Sequence, residues 1–228
     1  YALVQDEAAL EAWIESAMKQ GTVAVDTETN SLDSLNAELV GVSLSMVIPV
    51  AGARACYIPL GHVAPKSQGT LDLGGGDSAE SEDANDDGAP KQIALETAVK
   101  MLKPMLEDRG TLKIAHNAKY DSEVLARHGI NMAPVDDTML LSYVLDGGSH
   151  KHNLDDLTRL HLNRTNIKYN EVTGTGKNKI SFAEVSVEAA LDYAAEDADV
   201  TLCLHKMLKP RLVFEKISTV FERIERPL

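Results

Sequence analysis

The sequence predicts an α/β domain with a mixed sheet flanked by helices. Three observations carry that prediction. A short apolar run, Val23-Ala24-Val25, reads as a buried strand and ends in two carboxylates, Asp26 and Glu28. Two alternating segments, 39–46 and 55–60, follow it and would complete a meander. Beyond them, helical patterns are interspersed with short apolar stretches. An apolar fraction of 44% lets a chain of 228 residues bury a sizeable core, as one large domain or two small ones.

Taken in order, residues 6–19 carry Leu10, Trp13, Ile14 and Met18 at helical spacing, an amphipathic helix ahead of the first strand. Residues 30–33 are turn-rich. Pro59 places the third strand near a sheet edge. Residues 62–90 hold Gly74-Gly75-Gly76, many Asp, Ser and Ala, and almost no large apolar side chain after Leu73. Such a stretch cannot offset its ordering entropy, so a flexible acidic insertion is expected, with an acidic docking tail as the alternative. Residues 92–106 form a helix and 112–115 a short buried strand. A helix over 118–128 could be capped by Asn117 and is stopped by Gly129. Residues 135–138 lead into a helix over 139–145, with Asp137 as its N-cap. A short helix covers 153–160, and the polar, Gly-rich 167–181 reads as a loop. The longest helix, 187–208, is ended by Pro210, and a last helix begins within 214–226.

A net charge of −13 argues at face value against a nucleic-acid partner. The charge is unevenly spread, however. Seven acids (Asp72, Asp77, Glu80, Glu82, Asp83, Asp86, Asp87) lie together without a Lys or Arg, and without them −6 remains. A carboxylate metal site would remove part of that remainder. No apolar run reaches the roughly 18 residues of a membrane span, so no membrane partner is expected. No secretory signal opens the chain. Cys56 and Cys203 match neither a disulfide framework nor a zinc spacing, and read as reduced thiols of a cytosolic protein. The chain opens on Tyr1 and stops after a charged, apolar pattern, so it reads as a piece of something longer.

Side chains at i and i+2 of a strand share a face, so Asp26 and Glu28 crowd two negative charges together. Either the strand end faces water, or a cation relieves the repulsion. All-oxygen ligands would suit Mg²⁺ or Mn²⁺. Tyr193 and Asp197 lie four apart on the long helix and therefore on one face. Ala194, Ala195 and Ala198 beside them allow close approach to a strand. Asn117 and Asp121 repeat the spacing. Taken singly, Asp121 and Asp197 read first as solvated helix acids, and Tyr193 as a core residue with its hydroxyl at the rim.

Three segments bear a resemblance. Asp-Thr-Glu-Thr-Asn-Ser-Leu (26–32), Asn-Ala-Lys-Tyr-Asp (117–121) and Tyr-Ala-Ala-Glu-Asp-Ala-Asp-Val-Thr (193–201) resemble the motifs of the four-carboxylate, tyrosine-type 3'-5' exonucleases. More closely, they are similar to the proofreading domain of bacterial family A polymerases, the DNA polymerase I group. Asp-Thr-Met-Leu (137–140), Gly-Lys-Asn (176–178) and Ile-Glu-Arg-Pro-Leu (224–228) extend the similarity over nearly the whole chain, the acidic insertion excepted.

The resemblance implies a ribonuclease-H-like fold with a five-stranded mixed sheet. It implies an exonuclease domain over 1–210, with 62–90 inserted, and the truncated start of a polymerase domain over 211–228. Asp26, Glu28, Asp121 and Asp197 would hold two divalent ions, Mg²⁺ or Mn²⁺, with Zn²⁺ as an alternative in one site. Tyr193 would orient the attacking water. Its ordinary pKa near 10 makes it a poor base. The expected partner is a single-stranded DNA 3' end, met by a monomeric bacterial cytoplasmic protein whose polymerase domain belongs to the same longer chain. Leu32 would wedge terminal bases and Tyr169 would stack on one, unless both are core residues. Asn117 would bond the strand or cap its helix. Lys151, Lys177 and Lys179 would touch phosphates or merely solvate the surface. His116, His150 and His152 show no ligand spacing and are expected in ordinary polar roles. A stand-alone exoribonuclease and a silent single-strand-binding domain are the competing functions.

Overall fold

The computed structural model describes residues 1–64 and 89–227. Most of the segment expected as an acidic insertion, 62–90, lies outside the described residues. In chain order the strands are β1 (Ala2–Leu3), β2 (Thr22–Thr29), β3 (Leu39–Val50), β4 (Ala53–Pro59), β5 (Leu112–Ala115) and β6 (Val135–Asp137). The helices are α1 (Glu7–Gln20), α2 (Leu95–Glu107), α3 (Ala118–Arg127), α4 (Thr138–Asp146), α5 (Leu154–Leu157), α6 (Tyr169–Thr173), α7 (Val187–Phe214) and α8 (Ser218–Val220).

The strands form one mixed sheet in the order β1-β4-β3-β2-β5-β6. It has six strands among the described residues, not five. The two-residue β1, parallel to the outer side of β4, is too short to show a period in the sequence. β2, β3 and β4 form the expected antiparallel meander, and β5 and β6 add in parallel. The β3–β4 hairpin turns on Ala51 and Gly52, both at positive φ, which matches the twist of paired strands.

The two faces of the sheet pack differently. On one, Val23, Val25, Val42, Leu44, Met46, Cys56 and Ile58 meet α1, α2 and α3 in the main core. Asp6 caps α1 by accepting from the Ala9 N–H, and Gly21 ends it in the left-handed conformation. On the other face the residues are small: Ala24, Gly41, Ser43 and Ala55. α7 lies against them with Ala190, Ala194, Ala195 and Ala198 buried. Small residues on both sides bring the helix backbone close to the sheet. At Gly41 the space is taken by Tyr57, whose hydroxyl stands 2.1 Å from where a Cβ would be. The far half of α7 packs Val200, Leu204, Leu208 and Leu212 against Leu141, Leu157 and Phe221.

Three local expectations change. Pro210 does not end α7, which runs on to Phe214. A proline costs one backbone hydrogen bond, and here the following turn is held by buried Leu212 and by Arg211, which grips both oxygens of Asp146 at 2.7 and 2.9 Å. The stretch 167–181 contains α6 and a 3-10 turn at Gly176–Asn178. Asn117 takes a left-handed conformation and makes no side-chain cap. Asp137 caps α3 instead, accepting from the N–H groups of Asn117 (3.1 Å) and Ala118 (2.8 Å). It also caps its own helix α4 through Met139 (2.8 Å) and Leu140 (3.4 Å), so one carboxylate serves two helix N-termini.

Candidate active site

β2 enters the centre of the sheet as an apolar strand and leaves it on Asp26, Thr27 and Glu28. Asp26 and Glu28 point to the face covered by α7. α7 presents Tyr193 and Asp197 one turn apart on the side that its alanines press onto the sheet. As a result, carboxylate oxygens of Asp26, Glu28 and Asp197 all lie within 4.8 Å of one another.

Asp121 comes from the first turn of α3 and is 3% exposed. Its Oδ1 accepts from the Thr27 N–H at 3.0 Å and from the Thr27 hydroxyl at 2.6 Å. That clamp holds it against β2, where its charge acts on Asp26 and Glu28.

No Lys or Arg among the described residues pairs with these four acids. Burial first, and then the Asp197 charge, pushes the Asp26 carboxyl well above the usual range. Burial, followed by Asp26, Asp197 and Asp121, does the same to Glu28. Asp121 is raised by burial and by Asp26, against the two Thr27 hydrogen bonds. Burial brings Asp197 up to about 7. Buried like charges of this kind favour either shared protons or a bound cation. Three carboxylates so arranged are a fitting donor set for a divalent ion. The Tyr193 phenol is pushed far above its ordinary value, by burial and then by Asp197, so it stays neutral.

The other sequence-derived candidates spread around this centre. Leu32 stands on the loop after β2 and is 97% exposed. Tyr169 on α6 stacks on Phe182 (6.0 Å, 15°) and meets Tyr193 edge-on (6.1 Å). The Lys179 ammonium lies 5.7 Å from the centre of the Tyr169 ring. Lys177 is exposed on the 3-10 turn. Lys151 is exposed between α4 and α5. Sequence reasoning missed Thr27, Phe182 and Tyr120. The Tyr120 hydroxyl pairs with Thr29 (2.5 Å) and donates to the Ser31 carbonyl (2.5 Å), tying α3 to the loop that carries Leu32. An aromatic within a motif helix was the only available signal for it.

A sequence profile of 3'-5' exonucleases matches residues 1–71 and 76–213. The chain belongs to this 3'-5' exonuclease family. Over its whole length the exonuclease is 44% identical to DNA polymerase I of Rhizobium leguminosarum, and spans 22% of that relative. Among solved structures, the exonuclease fold is similar to the catalytic core of RRP6 from Trypanosoma brucei. The TM-score is 0.67 at 14% identity, covering 99% of this chain and 51% of that one. It is also similar to Escherichia coli RNase D, an exoribonuclease involved in structured RNA processing. There the TM-score is 0.59 at 18% identity, covering 92% of this chain and 44% of that one. These two likenesses establish the ribonuclease-H-like fold.

Proposed function

We propose that the chain is the proofreading domain of a DNA polymerase I, hydrolysing single-stranded or frayed DNA from its 3' end to release nucleoside 5'-monophosphates. The observation that carries this reading is the Asp26, Glu28 and Asp197 group, one buried and two half-buried carboxylates closed to within 4.8 Å, with no Lys or Arg among the described residues paired to it. Asp26, Glu28 and Asp197 would hold one divalent ion, and Asp26 with Asp121 a second, with Mg²⁺ or Mn²⁺ as the metal. Two such ions supply an activated water and neutralise charge on the phosphoryl oxygens and the leaving 3' oxygen. The neutral Tyr193 hydroxyl orients the attacking water together with Glu28, a positioning role rather than that of a base. Thr27 keeps one Asp121 oxygen occupied and so fixes how the other is presented.

Strand binding follows from the surroundings. The exposed Leu32 would separate terminal bases, and Tyr169, backed by Phe182, would stack on one. Lys177 and Lys179 would contact phosphates without reading sequence, with Lys151 and Asn117 as further contacts. In relatives of which this chain matches about a fifth, the segment after α7 would lead into the polymerase domain.

The test is digestion of a labelled single strand with Mg²⁺ or Mn²⁺, with and without chelator, using DNA and RNA of one sequence in parallel. Metal-dependent release of deoxynucleoside monophosphates is expected. Preference for RNA would move the reading to the exoribonucleases, and binding without hydrolysis would make the domain a silent one.

A further inference from the structure

A second ligand cluster is tied, through Arg211, to the C-terminal part of α7. Asp146 ends α4, His150 follows on the loop, and His161 sits on the π-helical turn Thr158–Leu162. One ligand atom from each lies within 4.8 Å of the others. Asp146 is anchored by Arg211, fourteen residues beyond Asp197, or roughly 21 Å along a helix that rises about 1.5 Å per residue.

The cluster has features that chance proximity does not supply. The Nε2 atoms of both His150 and His161 are sealed from solvent and lack a hydrogen-bond partner among the described residues. His150 Nδ1 lies 2.8 Å from the Lys151 carbonyl, so it carries the hydrogen and leaves the Nε2 lone pair free. A carbonyl bonded behind a histidine in this way is the usual support for a metal-binding imidazole. Arg211 holds the Asp146 carboxylate in a two-pronged grip, and Glu215 at 2.8 Å offsets the Arg211 charge. His152 differs, with Ser142 as a hydroxyl partner at 2.8 Å; His116 shares the sealed, unpartnered Nε2, behind Thr138 at 2.8 Å, but lies in no cluster of ligand atoms among the described residues.

We propose that Asp146, His150 and His161 form a binding site for a transition-metal ion, Zn²⁺ by preference, separate from the exonuclease carboxylates. Two imidazoles and one carboxylate suit Zn²⁺ far better than Mg²⁺, with a water completing a tetrahedron. Tetrahedral ligands at Zn²⁺ distances stand about 3.4 Å apart, so the three side chains close inward by about an ångström. The protonation states favour binding. The Arg211 hydrogen bonds hold the Asp146 carboxyl below its usual range, and burial lowers His161. The ion would fasten the end of α4, its following loop and the π-helical turn to one another, and through Arg211 to α7.

The test starts from the Asp26→Ala/Asp197→Ala chain, which removes the carboxylate site as a rival for Zn²⁺. After exposure to Zn²⁺ and dialysis, about one equivalent should remain bound. Co²⁺ in its place should give a visible band characteristic of a low-coordinate nitrogen and oxygen site. Adding His161→Gln or His150→Asn should weaken Zn²⁺ binding at least tenfold and remove the band. Circular dichroism verifies that each variant is folded, and His150, on the loop, is the safer of the two positions. In the otherwise unaltered chain, both substitutions should leave Mg²⁺-dependent hydrolysis unchanged. No retained Zn²⁺, or retention indifferent to both histidines, would overturn the proposal.

Discussion

Asp136 and the Asp26, Glu28 and Asp197 group are all carboxylates buried or half-buried in the fold, yet their surroundings differ in kind. Asp136 is fully buried and meets three basic side chains: His205 Nε2 at 2.8 Å, Lys209 at 3.0 Å and Arg226 at 3.4 Å. Burial, the largest single influence, opposes its ionisation, but the hydrogen bonds and charges of His205 and Lys209 together hold it below the usual carboxylate range. The Asp26 group has no such cation among the described residues and is held above that range. The contrast teaches that burial alone does not mark a functional acid. The informative feature is a buried charge that the protein declines to neutralise.

Substitution should separate the two regions sharply. Asp197→Ala should lower hydrolysis by about a thousandfold or more, since on the proposed reading it removes a ligand for the catalytic ion. It should leave thermal unfolding in chelator unchanged or shifted upward. Asp136→Ala should do the reverse in denaturant titrations, costing about 3 kcal/mol as Lys209, Arg226 and His205 lose their partner. Equal destabilisation by both variants would erase the distinction.

Titration sharpens it further. The Asp26 group has folded pKa values raised above those of the unfolded chain. Its contribution to stability is therefore present at low pH and lost as pH rises from about 4 toward about 7, where Asp197 ionises. Calorimetry of the chelated chain should show Tm falling across that window. Saturating Mg²⁺ should flatten the fall, and Asp197→Asn should reduce it. Asp136, with its lowered value, contributes with the opposite sign, losing its contribution as the medium becomes strongly acid. The smallest effect is expected from Tyr193→Phe. It should slow hydrolysis by about ten- to a hundredfold with metal affinity intact, as measured by Mn²⁺ titration. An equal loss of metal affinity would move Tyr193 from positioning water to holding the ion.

Much of this arrangement was legible in the chain because it is local. The apolar run into Asp26 and Glu28 emerges as β2, and the four-residue spacing of Tyr193 and Asp197 emerges as one face of α7. The parts that escaped are contacts across long separations. Thr27 clamping Asp121 joins residues 94 apart. Tyr57 fills the space over Gly41 only because β3 and β4 pair in that register. Asn117 looked like a cap because the rival acceptor, Asp137, lies twenty residues further on and reaches it only when β5 and β6 align. His150 likewise has no visible companion until the π-helical turn brings His161 beside it.

The shared cap at Asp137 has a mechanical consequence. Both α3 and α4 pivot on the same side chain, at the end of a strand that is itself locked into the sheet. A tilt of α3 large enough to carry Asp121 away from Asp26 would tear two backbone bonds from Asp137 or drag α4 along. The fourth acid is thus mounted on a bracket shared by two helices, and its place beside β2 is tied to the seating of α4.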